Sequence, residues 1–60
     1  MTDHELDYTQ YMIFFRAGDW FAIPPVKGVP LAQQAADHAE LNPGTLRIED
    51  MNGNVLWRLQ

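Results

Sequence analysis

Cysteine is missing from this 60-residue chain, and so is serine. Without thiols there is no disulfide and no thiolate zinc site. A single domain this short buries only about 60% of the surface its unfolded form exposes. Packing alone then supplies a net stability of roughly 3–5 kcal/mol. Without serine or cysteine, Thr2, Thr9 and Thr45 are the only small hydroxyl nucleophiles, and none stands in a glycine elbow. The four glycines are isolated from one another, which excludes a glycine-rich phosphate loop.

Basic residues are also scarce: four against eight carboxylates, for a net charge of −4. A protein that grips a phosphate backbone normally carries a basic patch, so the balance argues against nucleic acid. No apolar run approaches the ~18 residues that a membrane-spanning helix needs. The N-terminus "MTDHELDYTQ" is acidic where a signal peptide is positively charged, so a cytoplasmic location is expected. Met1 and a closed plan of elements lead us to expect a full chain.

The chain does have apolar and aromatic content. Residues of apolar type make up 47%, which excludes a wholly disordered chain. Residues 1–7 are polar and acidic, with Leu6 as their one apolar anchor, and read as a flexible arm before a single domain over 8–60. "YTQYMIFF" is then rich in aromatic and β-branched residues that suit a pleated surface. "RAGD" interrupts it, "WFAI" resumes it, and Pro24-Pro25 end it, because proline cannot donate to a sheet ladder.

This is a first hairpin. A three-residue loop, Arg16 to Gly18, sets Phe14 opposite Trp20 and Ile13 opposite Phe21. Tyr11, Ile13, Phe15, Phe21 and Ile23 then share the core face. Gln10, Met12, Phe14, Trp20 and Ala22 share the other. A two- or four-residue loop shifts the pairing by one and mixes these sets.

"PLAQQAADHAEL" reads as a helix, with Pro30 in its first turn and good helix formers after it. At 100° per residue, Leu31, Ala32, Ala35 and Ala39 form one stripe, with Ala36 and His38 at its margins. So small a stripe implies close approach to a sheet. Asn42-Pro43-Gly44 stops the helix. "LRIEDMNGNVLWRLQ" is a second hairpin around Asn52-Gly53. A two-residue turn sets Leu46 opposite Leu59, Ile48 opposite Trp57 and Asp50 opposite Val55. A four-residue loop preserves the faces. A three-residue loop is rejected, because it carries Arg58 to the apolar side. Leu46, Ile48, Val55, Trp57 and Leu59 then face the core, and Arg47, Leu56 and Arg58 face away. The fold class is α+β: a small single-domain ββαββ with an antiparallel sheet and one helix packed on one face.

The helix, "NPG" and a hairpin closing on Trp57 resemble the architecture of many small bacterial and phage proteins, which implies no activity.

Two stretches place histidine among carboxylates, "DHE" at residues 3–5 and "DHAE" at 37–40. Neither has a recognised metal spacing, and both read as solvated residues. Glu49 and Asp50 are adjacent but point to opposite faces of a strand, which is wrong for paired acid–base work. Asp50 instead suits a turn, where its carboxylate bonds nearby backbone. We therefore expect no enzyme, no cofactor, no metal site and no small-molecule substrate.

What remains is surplus apolar surface, since one helix covers one sheet face. On this reading Met12, Phe14, Trp20 and Leu56 stay open, rimmed by Arg47 and Arg58. Large open apolar patches often mark interfaces, and these residue types are enriched there. The expected function is a non-enzymatic protein-interaction module that associates with itself as a homodimer. The alternatives are an inhibitor of a host enzyme, of phage or mobile-element type, and nucleic-acid binding through the sheet-face arginines.

Overall fold

The computed structural model of the protein describes residues 5–60. Four strands and one helix follow in the order β1 (Met12–Arg16), β2 (Asp19–Ile23), α1 (Leu31–Leu41), β3 (Thr45–Glu49) and β4 (Val55–Arg58). The strands form one antiparallel sheet in the order β2-β1-β3-β4. The expected ββαββ plan is therefore the observed one. The connection from β2 through α1 steps over β1 to reach β3, which makes β1 and β3 the two central strands.

The core lies between α1 and one sheet face. Met12 and Phe14 from β1, Ile48 from β3, and Ala35 and Ala39 from α1 are its buried apolar members. Phe21, Ile23, Leu31, Leu56 and Trp57 pack around them. The Phe14 ring stacks on Phe21 with centroids 4.9 Å apart and meets His38 edge-on at 5.8 Å. His38 is thus a half-buried neighbour of the core rather than a solvated margin residue.

The first hairpin corrects the expected register. Its loop has two residues, Ala17 and Gly18, so Phe14 pairs with Phe21, Phe15 with Trp20, and Arg16 with Asp19. Gly18 takes the left-handed φ of 74° that the tight reversal needs. The shorter loop gains the Phe14–Phe21 stack and sets Arg16 opposite Asp19 at its base. It also inverts β1: Met12 and Phe14, expected on the open face, are fully buried, with 0% exposure. The expected faces of β2 stand.

The second hairpin reaches the expected pairing by an unexpected route. Ile48 pairs with Trp57 and Arg47 with Arg58, while the Leu59 N–H donates to the Leu46 carbonyl at 2.9 Å. Yet the loop has three residues, 51–53. The Asp50 N–H donates to the Asn54 carbonyl, the Gly53 N–H donates to the Asp50 carbonyl, and Gly53 has φ 85°. Glu49, not Asp50, pairs with Val55, and the ladder then shifts by one residue. Leu56 is the extra residue of this bulge. The bulge restores the register that a three-residue loop alone would lose, so Arg58 avoids the core. It also corrects two faces: Leu56 turns to the core and Val55 is exposed. Leu46 and Leu59, expected in the core, are exposed as well, and Thr45 is buried where a second irregularity pairs it with Arg16.

Helix α1 starts after Pro30, whose carbonyl accepts the Gln34 N–H at 3.1 Å. Its buried residues are Gln34, Ala35 and Ala39, so Ala32 is exposed and Gln34 stands where apolar periodicity put no residue. Gln34 Oε1 accepts the Val26 N–H at 2.8 Å, and Nε2 donates to the carbonyls of Val26 and Val29, both at 2.9 Å. On its helix side the loop between sheet and helix has no backbone neighbour, and this one amide supplies its partner. The other side of the loop is held by the N-terminal segment. The Asp7 N–H donates to the Pro25 carbonyl and the Lys27 N–H to the Glu5 carbonyl, both at 2.8 Å. The expected arm thus lies partly outside the described residues, while Glu5–Asp7 line the loop as a short antiparallel bridge.

Among the described residues, no helix is long and apolar enough to cross a membrane.

Candidate protein-interaction face

The sheet face away from α1 follows from alternation along each strand. Met12, Phe14 and Ile48 point to the core, so Ile13, Phe15, Arg47 and Glu49 point away. Cross-strand pairing aligns them in two rows. One runs Trp20, Phe15, Arg47, Arg58 from edge to edge. The next runs Ala22, Ile13, Glu49, Val55. Each row is apolar on β2 and β1. On β3 the rows carry a cation, Arg47, and an anion, Glu49.

Trp20 is 62% exposed, a large indole area open on an edge strand. Phe15 and Ile13 are half-buried beside it. The Arg47 guanidinium carbon lies 3.9 Å from the Phe15 ring centroid, a cation–π contact. Its Nε donates to Glu49 Oε2 at 2.6 Å. Arg47 and Arg58 are directly opposed, and like charges so placed repel. Glu49 and the Phe15 ring offset that repulsion on the Arg47 side. For Arg58 there is no ion pair among the described residues. Arg16 lies at the end of β1, where its Nη2 donates to the Pro43 carbonyl at 3.1 Å.

Of the six residues expected to form an interface, the fold brings Trp20, Arg47 and Arg58 to this face. Met12, Phe14 and Leu56 go to the core. In their place the face holds Ile13 and Phe15, beside the expected Ala22, with Glu49 next to Ile13. The exchange of Leu56 follows from the bulge, and that on β1 from one residue of hairpin length. The "RAGD" stretch carries a signal for it: a two-residue loop sets Arg16 against Asp19.

The remaining candidates are dispersed. His4 and most of "DHE" lie outside the described residues. His38 packs on Phe14, while Asp37 and Glu40 are exposed. Among the described residues, no three metal-ligating side chains gather and no pocket indents the surface. Asp50 acts in its turn as expected: Oδ1 accepts the N–H groups of Asn52 and Asn54, at 2.8 and 2.9 Å, and Oδ2 accepts the Asn54 amide. These bonds, led by the Asn54 side chain, hold its carboxyl below the ordinary carboxylate value.

No family model, curated protein or solved structure matches this chain. The functional reading therefore rests on the geometry of the molecule itself.

Proposed function

We propose that the protein is a cytoplasmic, non-enzymatic interaction module that docks a protein partner on its open sheet face. One observation carries the reading: Trp20, Phe15 and Ile13 are adjacent on a face without a helix, bordered by Arg47 and Arg58. Burying this aromatic and aliphatic surface against a partner is favourable at roughly 25 cal/mol per Å² of apolar area. Arginine and tryptophan also dominate interface hot spots. Glu49 in the centre of the face and the net charge of −4 oppose a nucleic-acid backbone.

The test places a photoreactive phenylalanine analogue at Ala22, exposed on the face, or at Gln33, exposed on the helix. Irradiation in the producing cells should yield protein adducts from position 22 and few from position 33. Equal yields from both positions, or none from position 22, would sink the reading. Adducts with a single cellular enzyme would direct it toward an inhibitor.

A further inference from the structure

The two rows of the open face have a property that a partner of unrelated shape does not require. A half-turn about an axis lying in the contact plane, across the strands and midway between the rows, sets each row on the other. Strand β1 then lies over β1 of a second copy, and β3 over β3. Phe15 meets the other copy's Ile13, and Trp20 meets its Ala22. Arg47 meets its Glu49. These three pairings are compatible: ring on branched aliphatic, large on small, cation on anion. The fourth sets Arg58 on Val55 at the exposed edge strand, where the arginine stem can cover the valine and the guanidinium stays in water. Each also occurs twice, as a twofold contact demands.

We propose that the partner of this face is a second copy of the same chain, seated in this row-on-row register. The proposal rests on the open face being the interaction surface. The alternative half-turn, about an axis along the strands, sets Phe15 on the other copy's Arg47 and Trp20 on its Arg58, but it sets Glu49 on the other copy's Ile13 and gives no charge an opposite-sign partner across the contact. That buries a carboxylate against an aliphatic chain at a cost. In the row-on-row register the two in-chain Arg47–Glu49 pairs combine into a ring of four charges with alternating sign. Every charge in it then has opposite-sign neighbours, which a desolvated ion pair needs.

The size of the face sets the strength. Strands of five residues rising about 3.3 Å each, four abreast at about 4.8 Å, give a face of roughly 16 by 19 Å. That is roughly 300 Å² per copy and about 600 Å² in total, well under the ~1,200 Å² of a stable specific interface, so the contact is a weak one. The dimer is therefore concentration-dependent rather than obligate.

Sedimentation equilibrium from low micromolar to millimolar chain concentration tests this. The wild-type mass should rise from one copy toward two. Arg47→Glu and Glu49→Arg should each stay monomeric, because each sets like charges in contact. Mixed in equal amounts they should dimerise, since one chain then carries two carboxylates where the other carries two guanidinium groups. The double variant R47E/E49R keeps every pair in reversed order and should behave as wild type. It also supports the interpretation should either single variant fold poorly.

A wild-type chain that stays monomeric at millimolar concentration overturns self-pairing. Adducts from position 22 to another protein would, in that case, leave the interaction-face reading intact. A wild type that dimerises while the mixture and the double variant do not overturns the register.

Discussion

Gln34 commits its whole side-chain amide to backbone. Its oxygen and nitrogen hold Val26 and Val29, two residues in a loop that no strand neighbour satisfies. Gln34→Ala leaves a partly buried N–H and two carbonyls unmatched, at a cost of about 2–3 kcal/mol. In a domain with roughly 3–5 kcal/mol in all, that loss should leave a visible unfolded fraction in water. A urea melt followed by tryptophan fluorescence would measure it. A midpoint equal to wild type would show that water replaces the amide without loss. Asp7 is a second residue whose bonds are local. Thr9 donates to it through hydroxyl and N–H, and Gln10 through its amide. These bonds, the Thr9 hydroxyl first, lower its pKa from 3.8 to about 2. A carboxyl that is more acidic in the folded state stabilises the fold in its charged form. Its contribution should be complete above about pH 4 and lost as the pH falls toward about 2. A carbon-13 titration of the Asp7 carboxyl should show the low midpoint, and Asp7→Asn should flatten part of the acid limb of stability against pH. An ordinary midpoint near 3.8 would remove the claim.

Elements differ in how far their residues announce them. The helix was legible in its composition and in the stop at Asn42-Pro43-Gly44, and the strands in their aromatic and β-branched runs. Faces were less so. The alanine stripe correctly implied that α1 lies close to the sheet, but it included exposed Ala32 and passed over Gln34, because a polar residue carries no apolar period. A clear contrast follows. Ala35→Leu drives three extra carbons into a contact with no room and should cost about 1–3 kcal/mol. Ala32→Leu, on the exposed side, should stay within about 0.5 kcal/mol of wild type. Thermal melts of the two variants decide between the periodicity and the observed face. Hairpin faces depend on a single residue of loop length. In the first hairpin the loop is one shorter than expected and β1 inverts. In the second it is one longer than the two-residue turn, and the Leu56 bulge cancels the change beyond Ile48. Bulges of this kind leave no composition signal, since leucine suits either face.

At the scale of the whole molecule, an open face was legible where its members were not. One helix cannot cover both sides of four strands, whatever the register. The parity of β1 then decided which aromatics were left out, and it exchanged Met12 and Phe14 for Ile13 and Phe15. Arg47 and Arg58 were readable as outward because each neighbours a core residue of its strand, Ile48 and Trp57, although the alternation fails further along β3, where Thr45 is buried and Leu46 exposed. Covering this face should also stabilise the fold, because association that requires the folded sheet shifts the folding equilibrium by mass action. A chain concentration tenfold above the dimer dissociation constant leaves about a fifth of the chains free and adds about 1 kcal/mol of such stabilisation. For a domain of this size that is a rise in thermal midpoint on the order of 4–8 °C. Wild-type melts across the concentration range should show that rise. Melts of Arg47→Glu should be flat, because the repelled copies gain nothing from proximity. Parallel slopes for the two chains would mean that the association, if present, uses another surface, with the exposed edge strands β2 and β4 as the next place to look.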